Sequence, residues 1–224
     1  MYQTLTVNHF GANNSLINSF VSELRDAEIQ KDSMRFRRNL ERIGEIAAYE
    51  VSKHLEYEEK EVVSPLGTTT LNLLKEQPVL ATILRAGLPM LQGVLNYFDR
   101  AESAFISAFR QKNKSTNEIE AVTEYLSAPT IKDKVLILAD PMLATGKSMV
   151  ASYEVFAREG APKHTHVIAA IASSDGVQYV KEHFPNNTTF WIAAIDDELS
   201  TKSYIIPGLG DAGDLAYGEK MLKN

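Results

Sequence analysis

Apolar residues recur at helical spacing through the first part of the chain. Leu16, Phe20 and Leu24 lie four apart behind the polar residues Asn13–Ser15, which predicts a helix over 12–25. Behind Ser33, a longer pattern of Phe36, Leu40, Ile43, Ile46 or Ala47, and Val51 predicts a second helix reaching about Leu55. Two helices therefore precede any central strand. Glu56–Glu61 is dense in charge and reads as a solvated helix end or edge. Val62–Thr69 then predicts a strand and turn, continuing as a hairpin toward Leu73.

The period changes at Pro78. Val79–Leu84, Ala104–Phe109, Val135–Ala139, His166–Ile171 and Thr188–Ile195 are short β-rich runs. Helical patterns follow at Leu88–Phe98, at Met149–Glu159 and from the Ser173–Gly176 turn to about His183. This alternation predicts an α/β fold with a central parallel sheet flanked by helices on both faces. Ligands of such folds gather outside the carboxyl ends of the strands.

Composition narrows the class. A length of 224 residues suits one domain (1–224) with a sizeable core, and the hydrophobic share of 44% beside 23% charged is that of a globular protein. No cysteine is present, which excludes disulfides and thiolate catalysis. A formal charge of −6 argues against a nucleic-acid-binding face. No run approaches the roughly 18 apolar residues of a membrane span, and the start lacks a signal-peptide layout. The expectation is a cytoplasmic protein without membrane or nucleic-acid partners.

Chemistry collects on the predicted ligand edge. Val135–Ala139 ends on Asp140, Pro141 and a short loop, Met142-Leu143-Ala144-Thr145-Gly146-Lys147-Ser148, before a helix. Free N–H groups of a first helical turn favour a phosphate there, and Asp140 is placed to accept sugar hydroxyls or hold a cation through water. Gly146-Lys147-Ser148 matches the end of a nucleotide P-loop, but Pro141 stands where that motif requires glycine. Taken alone, the stretch also fits an ordinary β–α turn with Ser/Thr capping.

Arg85 follows the strand at 79–84, and Arg110 follows that at 104–109; both suit a phosphate or pyrophosphate. The polar segment Gln111–Asn117, with a return arm over 118–125, reads as a lid spanning about 110–125. Asp196-Asp197-Glu198 ends the last strand, either as a divalent-ion site or as a capping cluster. His164 and His166 share a strand face away from the ligand edge. Ile205–Asp214 holds three glycines, a proline and two acids, too irregular for helix or strand, and offers backbone groups to a planar ligand.

Three stretches resemble uracil phosphoribosyltransferases: Ile83-Leu84-Arg85-Ala86-Gly87, Asp140–Gly146 with Ser148, and Tyr204–Asp214. The resemblance runs from about Met34 to Gly218, and the tail points to uracil as the base. It implies a type I phosphoribosyltransferase fold with a small hood lobe formed by about 56–75 and 196–218. It also implies conversion of uracil and 5-phosphoribosyl pyrophosphate (PRPP) to UMP and diphosphate in pyrimidine salvage. By the same resemblance Asp140, Arg85 and Arg110 are catalytic. PRPP meets Arg85, Arg110, Asp140, Pro141, Met142, Leu143, Ala144, Thr145, Gly146, Lys147, Ser148 and Asp211. Uracil meets Ile205, Gly210, Asp211 and Ala212. Magnesium is held through PRPP and water, with no direct protein ligand. The family further implies a homo-oligomer, dimer or tetramer, and GTP as a possible effector.

The chain departs from the family pattern in four places. Lys147 replaces a second glycine, Leu215 an arginine and Glu219 a threonine, and Gln111–Asn117 lacks the usual acidic lid. Two alternatives follow: a catalytically weak, nucleotide-binding regulatory relative, or a phosphoribosyltransferase for a different base.

Overall fold

A computed structural model describes residues 5–112, 119–158 and 160–220. In chain order the elements are β1 (Thr6–His9), α1 (Leu16–Arg25), a short 3-10 turn (Ile29–Lys31), α2 (Ser33–Ser52), β2 (Tyr57–Ser64), β3 (Gly67–Leu74), β4 (Val79–Leu84), α3 (Leu88–Leu95), β5 (Glu102–Lys112) and β6 (Ile119–Ser127). They continue as β7 (Val135–Ala139), β8 (Met142–Leu143), α4 (Lys147–Ala157), β9 (His164–Ser173), α5 (Ser174–His183), β10 (Thr188–Asp196), β11 (Glu198–Leu199), β12 (Ile205–Ile206) and α6 (Ala212–Tyr217).

The main sheet runs β1-β10-β9-β7-β4-β5-β6, with β8 alongside β9. All its pairs are parallel except β5 with β6. Side chains alternate between two buried clusters, as a strand's period of two requires. Leu80, Ile137, Ile168 and Trp191 join α1, α2, α3 and the tail on one face. Leu136, Leu138, Val167, Phe190 and Ile192 pack with α4 and α5 on the other. The fold is thus the expected α/β sheet with helices on both faces.

α2 shows why the helical pattern was legible. Phe36, Leu40, Ile43, Ala47 and Val51 are all buried, while Ile46 is only half-buried. Its N-cap is Asp32, whose carboxylate accepts the Met34 and Arg35 N–H groups, rather than Ser33. In α1 the buried face is Ile17 and Leu24. Leu16 begins the helix, turns outward and is 70% exposed.

Three parts of the chain depart from expectation, and one is the stretch 205–214, which holds β12 and the start of α6 where neither strand nor helix was expected. β1 precedes both helices as an edge strand on β10, and its half-exposed residues carry no apolar alternation. Glu56–Glu61 is not a helix end: most of it is the first arm of the β2–β3 hairpin, paired Tyr57 to Leu74 through Ser64 to Gly67. Both arms are largely exposed, so no core-facing pattern marks them.

The segments expected to contribute to a hood are the β2–β3 hairpin and the stretch from β11 to α6. Glu56, at the hairpin's base, ion-pairs with Lys163 just before β9 (3.5 Å), on the amino edge. The tail joins the carboxyl edge, where Arg37 near the start of α2 donates to the Ala216 carbonyl (2.6 Å). Of the stretch expected as a lid, residues 110–112 and 119–125 lie on the antiparallel strands β5 and β6, with Arg110 opposite Ala121 and Lys112 opposite Ile119. Residues 113–118, within that lid, lie outside the described residues, as does Glu159. Among the described residues, no helix is long and apolar enough to cross a membrane.

Candidate active site

β7 stops at Ala139 while its neighbour β9 continues, and the chain that follows β7 lies against the extension. The Asp140 N–H donates to the Ile168 carbonyl (3.0 Å) and the Ile171 N–H to the Pro141 carbonyl (3.0 Å). β8 then pairs Met142 with Ile171 and Leu143 with Ala172. Ser173 completes the support: its hydroxyl donates to the Ala144 carbonyl (2.5 Å) and accepts the Gly176 N–H (2.8 Å), so one side chain holds the loop and caps α5.

Gly146 makes the turn into α4 with φ of +74°, a left-handed position that disfavours any side chain. Lys147 is the exposed first residue of α4, and among the described residues the non-glycine residues with positive φ are Asp133 and Ser203. Its side chain therefore carries no left-handed strain. The loop 144–148 presents helix-start N–H groups at the sheet's carboxyl edge, as an anion site requires.

Asp140 lies at the centre. Its carboxylate accepts the Met142 N–H (3.0 Å). The side chain is half-buried at the carboxyl end of β7. Burial raises its pKa to about 7, against the pull of the Met142 hydrogen bond.

Arg85 comes to the same edge from β4. The Gly87 N–H returns to the Ile83 carbonyl (3.1 Å), and the buried Thr82 hydroxyl donates to the Ala139 carbonyl (2.8 Å). A Cβ on Gly87 would lie 1.9 Å from the Thr82 Oγ1 and 2.8 Å from that carbonyl. The loops of Arg85 and Asp140 are thus packed directly against each other.

The tail closes over Arg85. Its Nη2 donates to Asp214 (3.1 Å) and to the Gly218 carbonyl (3.2 Å). Asp211 caps α6 by accepting the Asp214 N–H (3.0 Å). Ile205 and Ala212 are buried, and Gly210 has φ of +90°. Arg110 lies on β5; its side chain is outside what is described.

Known proteins share this chain's sequence over nearly its full length. The family described as uracil phosphoribosyltransferase matches residues 12–219. The chain belongs to the uracil phosphoribosyltransferase family. A uracil phosphoribosyltransferase of Porphyromonas gingivalis is 52% identical over 217 residues, covering 97% of this chain and 100% of the relative. One from Thermococcus gammatolerans is 38% identical over 205 residues, 90% of this chain and 89% of its own. A solved Aquifex aeolicus protein superposes with a TM-score of 0.82 at 30% identity, over 95% of this chain and 98% of its own.

Against the family pattern, the structure accounts for one departure and describes another. Lys147 does not require the glycine's backbone freedom. Leu215 packs against the apolar cluster beneath the tail, 3.7 Å from where a Cβ on Gly210 would stand. Glu219 is exposed, and nothing in the structure explains its substitution.

The acids at the end of β10 do not converge. Asp196 is taken by Arg25, Asp197 accepts the Ser174 hydroxyl (3.3 Å) and Glu198 enters β11. Among the described residues, no group of three or more His, Asp or Glu side chains is placed to hold a metal. His166 lies buried toward the amino edge, accepting the Trp191 indole N–H (3.2 Å), and burial lowers its pKa to about 3. Sequence reasoning missed Arg25, Thr82 and Ser173. Arg25 and Thr82 act through contacts far away in the chain, and Ser173, visible as a turn residue, also holds the distant Ala144 carbonyl.

Proposed function

We propose that Asp140, Arg85, Arg110, Asp211 and the loop 141–148 hold PRPP, while Ile205, Gly210, Asp211 and Ala212 read the edge of uracil. The activity is that of the family, in which uracil and PRPP give UMP and diphosphate. The observation that carries the assignment is the docking of α6 on the Arg85 loop. Arg85 is bonded to Asp214, and a Cβ on Gly213 would stand 3.9 Å from Ala86. A base read by the tail would thus lie beside a sugar held at Arg85 and Asp140.

The chemistry asks little covalent work of the protein. Loss of diphosphate from the anomeric carbon develops positive charge on the ribose and negative charge on the leaving group. A uracil ring nitrogen supplies the nucleophile once its proton is lost. Asp140 accepts the ribose hydroxyls and fixes the ring, Arg85 meets the departing diphosphate, and helix-start N–H groups bind the 5′-phosphate.

Magnesium belongs to the proposal as charge neutralisation carried on the diphosphate. Asp140 and Asp211 would reach the ion through water, since magnesium keeps its waters readily.

The chain is further proposed to act as a homo-oligomer, dimer or tetramer. Val63 at 78% exposure and a fully exposed Leu66 on the β2–β3 hairpin support this, since an isolated two-stranded hairpin with exposed apolar side chains gains stability by being covered. A GTP effector rests on the family resemblance. It is read as a change in rate when GTP is added to the assay below.

With magnesium and PRPP, the purified protein is expected to form nucleotide from uracil and not from cytosine, hypoxanthine or orotate, followed by diphosphate release. Turnover of another base would reassign the tail. Binding of UMP without turnover of any base would favour the regulatory alternative. Arg85→Ala is expected to weaken PRPP binding by about 10- to 100-fold, the scale of a lost charge-assisted contact. Unchanged affinity by titration calorimetry would remove Arg85 from the PRPP set.

A further inference from the structure

We propose that Arg25 and Asp196 are positioning residues for base selection: together they hold both backbone polar groups of Gly208 and so orient the segment that meets uracil. This rests on the assignment of the tail to uracil made above.

Ile205 to Gly210 reads Ile, Ile, Pro, Gly, Leu, Gly. None of these residues has a polar side chain. A segment that recognises a base through backbone groups is selective only if something orients those groups, and here it must come from elsewhere in the fold.

Arg25, the last residue of α1, supplies it with Asp196, the last residue of β10. The two form a fork of parallel bonds, Nη2 to Oδ1 at 2.7 Å and Nη1 to Oδ2 at 2.8 Å. The same Oδ2 accepts the Gly208 N–H (2.9 Å), and the same Nη1 donates to the Gly208 carbonyl (3.2 Å). Gly208 needs such fixing. Its φ is +59°, and a Cβ there would lie 2.0 Å from the Ile205 carbonyl oxygen.

The pair is charged and sheltered. Asp196 is 8% exposed. Burial pushes its carboxyl upward, but the Arg25 hydrogen bonds, the Gly208 N–H and the guanidinium charge prevail and hold it below the usual range. A cleft of about 310 Å³ beside Arg25, lined also by His9, Asn18 and Ser22, lets water replace a shortened side chain.

The test compares kinetics and PRPP binding for Arg25→Ala, Arg25→Lys, Asp196→Asn and wild type. Arg25→Ala and Asp196→Asn are expected to raise the KM for uracil about tenfold, the scale of one lost orienting contact. The Kd for PRPP should stay within about twofold. Arg25→Lys keeps the charge without the fork and should fall between. Amide exchange at Gly208 should quicken in the same order. If Arg25→Ala does not fold, the isosteric Asp196→Asn decides.

Unchanged uracil KM, or equal losses for uracil and PRPP in every variant, would overturn the proposal. Gly210→Ala separates the two levels of inference. If it raises the uracil KM while the Arg25 and Asp196 variants do not, only the positioning role fails. If none does, the assignment of the tail to uracil fails with it.

Discussion

Asp140→Asn is expected to lower turnover by about 10- to 1,000-fold, the range for losing an electrostatic contact made at the transition state. The substitution keeps the shape and the acceptor oxygen available to the Met142 N–H, so folding should survive. The same variant is expected to be more stable than the parent above neutral pH. The folded carboxyl has a pKa raised to about 7 from an ordinary 3.8. The native state thus binds a proton more tightly than the unfolded chain.

Stability from such a group is fully present below its unfolded pKa and is lost as pH rises through the folded value. Ionising Asp140 costs up to about 4 kcal/mol by this route. Asparagine has no charge to bury at any pH. Without PRPP, the melting temperature of Asp140→Asn should exceed the parent's at pH 8, and the gap should close toward pH 4. A variant no more stable at pH 8 would show that the carboxylate is not disfavoured there. Wild-type turnover in the folded variant would remove Asp140 from the catalytic set.

Gly87→Ala is expected to damage both loops at once. The backbone at Gly87 is ordinary, with φ of −76°, so conformational strain is not the reason. The added methyl would stand 1.9 Å from the Thr82 hydroxyl and 2.8 Å from the Ala139 carbonyl. It must break the hydrogen bond between them or push β4 from β7. Overpacking of this kind costs about 1–3 kcal/mol, and a lost buried hydrogen bond adds about 1 kcal/mol more. Arg85 and Asp140 then move apart, so PRPP affinity should fall further than in Arg85→Ala. Denaturant unfolding and PRPP titration measure the two effects. A variant with native stability and affinity would contradict the packing described.

Much of this was legible in sequence because the relevant strands are buried on both faces. Val135–Ala139 is continuously apolar and stops at Asp140, so the run locates the strand, its end and the loop. The same signal found β4, β9 and β10. It failed where burial is absent: β1 is a half-exposed edge, and β2 places charged residues on an exposed hairpin. Leu16 misled because spacing alone does not say on which side of its first turn a helix meets the core. The candidate residues at the carboxyl edge could be gathered from topology. Arg25 could not, since it looks like any basic helix end until Asp196 is beside it. The acids at 196–198 were noticed in the right place, but whether they served a metal, a cap or an ion pair depended on that distant partner.

The partners in that fork are 171 residues apart in the chain. β1, too, pairs with β10, the last-made strand of its sheet. During synthesis β1 and the Arg25 end of α1 therefore wait for β10 before they find their partners. The strands β4, β5 and β7, nearer in sequence, can assemble earlier. Pairings of such long separation are slow to form. Assembly should thus be ordered, with the strands that carry the Arg85 and Asp140 loops pairing before the fork fixes Gly208.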